Sequence, residues 1–256
     1  MAAVVERDLK NAANSVAGDA TISVNVKRKT FPALRDRESQ LVLSNVAFTV
    51  EPRSFVVVTG PSGCGKSTLL NIIAGLDRDF EGNIDLGAGG DRMAFIFQSP
   101  RLLPWRTVYD NIALVLPDGD PRHGKIPEML DRVGLTQAAG AYPERISLGM
   151  QRRAALARGF ILEPEILLMD EPFVSLDDPT AQSLRQLLSD LWHRQPTTVL
   201  FVTHDRGEAV QLGTRILRLS AGQASVIQDA QVRLSSEERL DRAAVVREQG
   251  RIFGQS

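Results

Sequence analysis

A glycine-rich segment, Gly60-Pro-Ser-Gly-Cys-Gly-Lys-Ser-Thr68, constrains this 256-residue chain more than any other feature. It fits G-x-x-x-x-G-K-[ST] without a mismatch, whereas average residue frequencies give about 0.01 such matches by chance in a chain of this length. The β-branched run 55–59 precedes the segment and a helix-like run begins at Lys66. A strand, a glycine-rich turn and a helix in this order bind phosphate groups, because the turn exposes backbone N–H groups and the helix adds its dipole. The segment therefore predicts a nucleotide site.

Within this phosphate loop, residues 60–68, each side chain has an expected role. Lys66 is expected to contact the β- and γ-phosphates, and the Ser67 hydroxyl to ligate Mg²⁺. Cys64 has two interpretations: a reactive thiol of lowered pKa near a helix N-terminus, or a small residue that faces away from the nucleotide. The predicted nucleotide-binding residues are Gly60, Pro61, Ser62, Gly63, Cys64, Gly65, Lys66, Ser67 and Thr68.

Two acids follow a second apolar run, Ile166–Met169. Asp170 suits a carboxylate that holds Mg²⁺ through water, and Glu171 suits a general base that polarises the attacking water. Taken alone, the same residues are also typical of a helix-capping turn. The run Thr198–Thr203 ends in the same way, and His204 after it is expected to contact the γ-phosphate.

Buried strands alternate with amphipathic helices along the chain, which predicts an α/β fold with a largely parallel sheet covered on both faces. Charged residues 27–40 predict a loop between strands at Thr21–Val26 and Leu41–Val50. The predicted units are an N-terminal arm at 1–20, a main domain at 21–233 with a helical subdomain at about 99–160, and a helical tail at 234–256.

Composition excludes several classes of protein. Thirty Lys and Arg balance 31 Asp and Glu, so a nucleic-acid partner is not expected. The single cysteine fits a reducing compartment. We also expect neither a membrane-spanning helix, which needs about 18 consecutive apolar residues, nor a secretory signal in the first twenty residues.

Further motifs follow the phosphate loop in order: Gln98, Ile146-Ser-Leu-Gly-Met-Gln-Arg-Arg153, Leu167-Leu-Met-Asp-Glu-Pro172, Ser175-Leu-Asp177 and His204. Over roughly residues 21–220 the chain resembles the ATP-binding subunit of ABC transporters. The resemblance implies a P-loop NTPase fold of the ABC ATPase type, with a mostly parallel core sheet, a small antiparallel β subdomain and a helical subdomain. It also implies ATP and Mg²⁺ as ligands, and a head-to-tail dimer of two copies around two ATP molecules.

The resemblance assigns roles residue by residue. The implied catalytic residues are Glu171, His204, Gln98 and Lys66, and the implied Mg²⁺ ligands are Ser67, Gln98 and Asp170. The signature that binds the γ-phosphate held by the partner copy comprises Ser147, Leu148, Gly149, Met150 and Gln151. Asp177 would lie in the loop that crosses the dimer interface, and Phe31 would stack on adenine.

Leu148 departs from the family pattern, which usually has glycine there. Its side chain either crowds the partner's phosphate loop or points into the helical subdomain and leaves Gly149 to approach the nucleotide. We favour the second interpretation because the hydrolytic residues elsewhere are intact. Ser147 also suits the N-cap of the helix that follows, and a helix start attracts anions.

A narrower resemblance, to the nitrate/sulfonate/taurine class of importers, covers Gln98–Asn111. Leu102, Leu103 and Trp105 there predict an apolar groove for a cytoplasmic helix of a transmembrane permease. Alternatively, Trp105 packs in the core of the helical subdomain. The resemblance further implies an extracytoplasmic solute-binding protein as an indirect partner, and a peripheral location on the cytoplasmic face of the inner membrane.

The expected function is ATP hydrolysis that energises an importer for a small solute. One alternative is a soluble ABC ATPase of DNA repair or translation. The interval from Gly60 to Ser147 is too short for the long coiled coil of repair members, and translation members carry two ATPase domains per chain. A second alternative is a non-hydrolysing regulatory ABC subunit, in which Leu148 disrupts the ATP site formed jointly by the two copies.

Overall fold

The computed structural model describes residues 21–33 and 39–254, so the predicted arm at 1–20 lies outside the described residues. The strands of the described part are β1 Ile22–Phe31, β2 Gln40–Val50, β3 Phe55–Thr59, β4 Glu81–Asp85, β5 Met93–Ile96, β6 Ile166–Asp170, β7 Thr198–Val202, β8 Arg215–Leu219 and β9 Val226–Gln231. The α-helices are α1 Lys66–Ile73, α2 Val108–Ala113, α3 Ile126–Arg132, α4 Leu148–Phe160, α5 Asp178–Arg194, α6 Arg206–Leu212 and α7 Arg242–Phe253.

The core sheet has the strand order β5-β6-β7-β3-β8-β9 and is parallel except for β9 at one edge. Strand β3 is buried on both faces: Phe55 and Val57 join one apolar cluster, and Val56 and Val58 join the other. Because β6, β7 and β3 are adjacent and parallel, their carboxyl ends meet at one edge of the sheet. The phosphate loop, the two acids and His204 all follow these three ends, so the fold brings them together.

A smaller antiparallel sheet, β2-β1-β4, packs beside the phosphate loop. A Cβ added to Gly65 would lie only 2.6 Å from Cγ1 of Val42 and 2.9 Å from Cδ2 of Leu43, both on β2. Gly65 also has a φ of 105°, which side chains rarely adopt. The loop therefore needs glycine here both for its turn and for contact with the second sheet.

The predicted loop at 27–40 is wrong over its first part, because β1 continues to Phe31 and pairs there with Gln40 of β2. The charged residues belong to the strand because Lys29 is buried with its charge compensated. Its Nζ donates to Asp77 Oδ1 at 2.9 Å and to the Asp79 carbonyl at 2.6 Å. This compensation comes from residues about fifty positions away, which the local pattern does not reveal.

The region at 99–160 holds α2, α3 and α4 with short 3-10 turns between them. In the tail, the helix begins only at Arg242, where Asp241 caps it by accepting from the Ala243 N–H at 2.9 Å. Strands β8 and β9 were not predicted. The domain limits given for 21–233 and 234–256 stay predictions.

Candidate functional site

The phosphate loop leaves β3 and enters α1 with an exposed tip at Pro61, Ser62 and Gly63. Gly63 has a φ of 77°, in the left-handed region that favours glycine. A Cβ on Gly60 would approach the Leu219 carbonyl oxygen at 3.2 Å, so the base of the loop lies against β8. An exposed backbone tip on a fixed base at a helix start suits a phosphate group.

Cys64 faces the interior and is only 2% exposed. It belongs to the apolar cluster beneath the loop, and its Sγ lies close enough to Gly60 that a Cβ there would be 2.9 Å away. A buried thiol in apolar surroundings is inert compared with an exposed one at a helix start. The structure therefore favours the small residue that faces away from the loop surface.

Lys66 is almost fully buried, yet its ammonium group has several partners. Nζ donates to the carbonyl oxygens of Gly60 at 2.9 Å and Pro61 at 3.0 Å, and lies 3.7 Å from Glu171 Oε1. The positive charge is thus held at the base of the phosphate loop and next to a carboxylate. A charge in this position is suited to neutralise nucleotide phosphates.

Ser67 and Asp170 form the oxygen pair expected for Mg²⁺. Ser67 Oγ donates to Asp170 Oδ1 at 3.0 Å. Burial raises the pKa of Asp170, and the hydrogen bond from Ser67 opposes this shift. A hydroxyl and a carboxylate are hard oxygen ligands of the kind Mg²⁺ prefers, so the residues present fit this ion.

Gln98 lies two residues beyond β5, the neighbour of β6, and its side chain is exposed. The structure fixes its backbone: the Gln98 carbonyl accepts a hydrogen bond from the Arg152 guanidinium. Its role as a Mg²⁺ ligand stays a prediction.

Glu171 lies between Lys66 and His204. Its Oε2 is 3.0 Å from His204 Nδ1, while Oε1 faces the Lys66 ammonium. The backbone of Glu171 has a φ of 42°, uncommon for a residue other than glycine, and its N–H donates to the Val202 carbonyl at 2.9 Å. This turn at the end of β6 fixes the carboxylate beside His204, which follows β7.

The predicted signature begins α4. Ser147 caps this helix by accepting from the Met150 N–H at 3.2 Å. A Cβ on Gly149 would lie 2.8 Å from Cγ2 of Thr180, so this glycine allows α4 to approach α5. Gln151 Nε2 donates to the carbonyls of Pro143 at 3.0 Å and Ile146 at 3.3 Å, and so fixes the turn before the helix.

The prediction that the Leu148 side chain points into the helical subdomain is wrong. Its side chain is 39% exposed, next to the exposed Ser147. The physical reason is its place as the first residue of α4, while Ile146 and Met150 take the positions that pack against the core.

Asp177 is exposed and caps α5, accepting from the Thr180 N–H at 3.2 Å. Hydrogen bonding with the Thr180 side chain, together with this N–H, lowers the pKa of the Asp177 carboxyl. Phe31 is 43% exposed at the end of β1, with Lys29 Nζ 4.9 Å from its ring centroid. Trp105 is 68% exposed, which excludes the interpretation that it fills the core of the helical region.

Comparison with known proteins agrees with this geometry. A family model described as ABC transporter matches residues 43–174. The chain belongs to the ABC transporter family. The predicted family and the ABC ATPase fold of the α/β class are confirmed, as is the prediction of an enzyme of the ATPase kind.

Relatives of this ABC chain include the aliphatic sulfonates import ATP-binding protein SsuB of Bacillus subtilis (strain 168). It is 42% identical over 206 residues, which cover 78% of this chain and 80% of the relative. SsuB 1 of Streptomyces avermitilis is 40% identical over 244 residues, covering 94% and 89%. A solved structure titled as a dimeric post-hydrolysis state of the ATP-binding cassette MJ0796 bound to ADP and Pi has a TM-score of 0.70 and 32% identity. The match covers 84% of this chain and 100% of that one.

Within the described residues of this ABC chain, no helix combines the length and apolar character needed to cross a membrane.

Sequence reasoning missed two buried charged residues near the site. Arg152 on α4 donates to the carbonyls of Gln98 and Val174, the latter at 3.4 Å, and so links α4 to the segments after β5 and β6. Glu208 on α6 accepts from the hydroxyl of Thr203, directly before His204. In each helix, the charged residue stands among apolar residues, and this pattern is the sequence signal that could have indicated its burial.

Proposed function

We propose that this chain is the ATP-hydrolysing subunit of a membrane importer and that it acts as a dimer of two copies. One observation carries the hydrolysis: Glu171 lies between the Lys66 ammonium and the His204 ring, at the sheet edge that holds the phosphate loop. General base, phosphate-binding cation and histidine are thus within reach of one another, as phosphoryl transfer to water requires.

In the proposed mechanism, the N–H groups of the phosphate loop and Lys66 bind the β- and γ-phosphates. Glu171 accepts a proton from the water whose oxygen attacks the γ-phosphorus, and the bond from this phosphorus to the β–γ bridging oxygen breaks, so that ADP leaves and inorganic phosphate forms. His204 contacts the γ-phosphate and, through Nδ1, keeps the Glu171 carboxylate oriented. Ser67 and Asp170 would hold Mg²⁺, which neutralises phosphate charge when it is bound.

Dimerisation is proposed because the signature lies on the surface. Ser147 and Leu148 are exposed at the N-terminus of α4, and Asp177 is exposed at the start of α5. The helix N-terminus is suited to meet the γ-phosphate bound by a second copy. The solved cassette MJ0796, of the same fold, is described as dimeric.

A transmembrane permease is the proposed membrane partner. Trp105 at 68% and Leu114 at 50% exposure place large apolar side chains on the surface of the helical region, with Tyr109 between them in sequence. Such a surface suits an amphipathic helix of a partner. The relatives are named as aliphatic sulfonate import proteins, so we place the solute among small sulfonates and similar anions. A solute-binding protein outside the membrane and a peripheral location on its cytoplasmic face complete the proposal.

The position of Leu148 supports one alternative function, which is that of a regulatory subunit that binds ATP without hydrolysing it. The exposed leucine lies where the partner's nucleotide would approach Ser147. This function predicts dimers that form with ATP but show no turnover. The soluble non-transport ABC ATPase is not favoured.

Steady-state ATPase assays with Mg²⁺ test the proposal. We expect turnover in the wild-type chain, its loss in Lys66→Ala, and its loss with retained ATP binding in Glu171→Gln. Glu165→Gln is a matched control, because Glu165 lies next to the opposite end of β6 and pairs with Arg92. A wild-type chain that dimerises with ATP and releases no phosphate would support the regulatory function instead.

A further inference from the structure

Three residues form a closed ring of hydrogen bonds around the backbone of His204. The Asp205 N–H donates to Thr203 Oγ1 at 3.0 Å, and the Thr203 hydroxyl donates to Glu208 Oε2 at 2.7 Å. The Glu208 N–H donates to Asp205 Oδ1 at 2.8 Å. His204 therefore lies between Thr203 and Asp205, and both of these residues are hydrogen-bonded to Glu208.

The ring departs from an ordinary helix cap. Asp205 is the N-cap of α6 and Glu208 is its third helical residue, the spacing of a capping box. In a capping box the acid at that position accepts directly from the N-cap N–H. Here the Thr203 hydroxyl is inserted between the two, so the carboxylate of Glu208 reaches back beyond the cap to the residue before His204.

Two of the three ring residues are buried, whereas Asp205 is exposed, and the ring is anchored to the core sheet. Glu208 is 8% exposed and Thr203 is 2% exposed. The Thr203 N–H donates to the Val58 carbonyl at 3.2 Å, which ties the ring to β3 just before the phosphate loop. Arg185 of α5 lies 3.5 Å from Glu208 Oε1, so the buried carboxylate also has a cationic neighbour.

The His204 side chain, by contrast, is half exposed and contacts Glu171 through Nδ1. Because about half of this imidazole is exposed, a fixed backbone helps to keep it oriented towards Glu171. We propose that Glu208 is a positioning residue that acts through Thr203 to hold His204 against Glu171. The inference rests on the proposed function, because it assigns a task to Glu208 within that hydrolysis site.

The test compares Glu208→Ala, Glu208→Gln and Thr203→Val, the last of which keeps the shape of threonine without its hydroxyl. Glu248→Ala is the matched control, because Glu248 is equally buried, pairs with an arginine and lies on α7. We expect Glu208→Ala and Thr203→Val to lower kcat about 10- to 100-fold with KM for ATP nearly unchanged, as for a slightly misplaced catalytic group. Glu208→Gln should recover much of the loss, because its amide oxygen still accepts from Thr203. Glu248→Ala should retain the wild-type kcat.

A double-mutant cycle separates positioning from general damage. If Glu208 acts through His204, His204→Ala/Glu208→Ala is no slower than His204→Ala alone. Additive losses, or an unchanged kcat in both Glu208→Ala and Thr203→Val, would overturn the inference.

A second measurement needs no turnover. The chain has 3 histidines, so the imidazole NMR signals of His204 can be assigned with a His204→Gln variant. Glu208→Ala and Thr203→Val should shift these signals, whereas Glu248→Ala should not. His204 signals that match the wild type in both site variants would contradict the inference even if the chain hydrolysed no ATP. If the wild-type chain shows no turnover but the His204 signals shift in both site variants, only the proposed function is contradicted.

Discussion

The carboxylate of Glu171 bridges two groups that come from different parts of the chain, with Oε2 3.0 Å from His204 Nδ1 and Oε1 3.7 Å from Lys66 Nζ. The first partner follows β7 and the second begins α1 after β3. A carboxylate held from both sides has a fixed direction for accepting a proton. This arrangement is the physical basis for proposing that Glu171 is the general base.

Replacing Glu171 with Gln removes the base while keeping the shape of the side chain. We expect turnover to fall by about 10²–10⁴-fold, the usual contribution of a general base. ATP affinity should change little, because the phosphate loop and Lys66 are untouched. Phosphate release and equilibrium binding of a fluorescent ATP analogue measure the two effects. Turnover close to that of Glu165→Gln would remove Glu171 from this role.

Ser67→Ala tests the metal ligands. Removing the hydroxyl deletes both a proposed Mg²⁺ ligand and the 3.0 Å hydrogen bond that opposes the raised pKa of Asp170. We expect the Mg²⁺ concentration at half-maximal turnover to rise at least about tenfold. Titration of Mg²⁺ at saturating ATP measures this value, and chelation with EDTA should abolish turnover in both proteins. An unchanged Mg²⁺ requirement would exclude Ser67 as a ligand.

Cys64 should be unreactive in the folded protein. It is the only cysteine of the chain and its side chain is buried under the phosphate loop. We expect a colorimetric thiol reagent to modify the native protein slowly and the guanidinium-unfolded protein at once. Fast modification of the native protein, with loss of ATP binding, would show that the thiol is exposed to the nucleotide site.

Glu248 links the C-terminal helix to the domain. It accepts from the Arg233 N–H at 2.7 Å, and hydrogen bonds from Arg251 hold the pKa of its carboxyl below the ordinary value. Because the pKa is lower in the folded state, the stabilisation is complete above the ordinary pKa near 4.5 and is lost as the pH falls through the folded-state pKa. We expect Glu248→Gln to lower the free energy of unfolding by about 1–3 kcal/mol at pH 7.

Urea denaturation of both proteins at pH 7 and at low pH measures this difference. The gap between wild type and Glu248→Gln should shrink as Glu248 becomes protonated. A gap that stays constant with pH would mean that the ion pair does not contribute.

The parts of the site that could be predicted from the sequence are those that depend on short, contiguous segments of the chain. The phosphate loop needs its glycines for a tight turn next to a strand, and each acid or histidine after a buried run marks a strand end. Adjacent parallel strands then bring these ends together, which follows from the α/β pattern.

The errors and omissions concern features that depend on how residues pack in the folded chain, which the local pattern does not show. Strand β1 extends through charged residues because Asp77 and Asp79 compensate Lys29. The exposure of Leu148 depends on which neighbours pack against the core. The ring at Glu208 joins residues close in sequence, yet only its burial shows that the carboxylate faces inward.

The central claim is that this chain energises a membrane importer, and one capture experiment tests it most directly. Tagged Glu171→Gln protein with ATP is purified from gently solubilised native membranes, beside the same protein with ADP and beside a Glu171→Gln/Trp105→Ala variant. Retained ATP-dependent dimerisation of the double variant, measured by size-exclusion chromatography, shows that it is folded.

We predict that mass spectrometry identifies a multi-span permease in stoichiometric amount with ATP, and that Trp105→Ala reduces it strongly, because this exposed side chain belongs to the proposed docking surface. A dimer of this chain alone, obtained in several detergents at adequate expression, would contradict the claim.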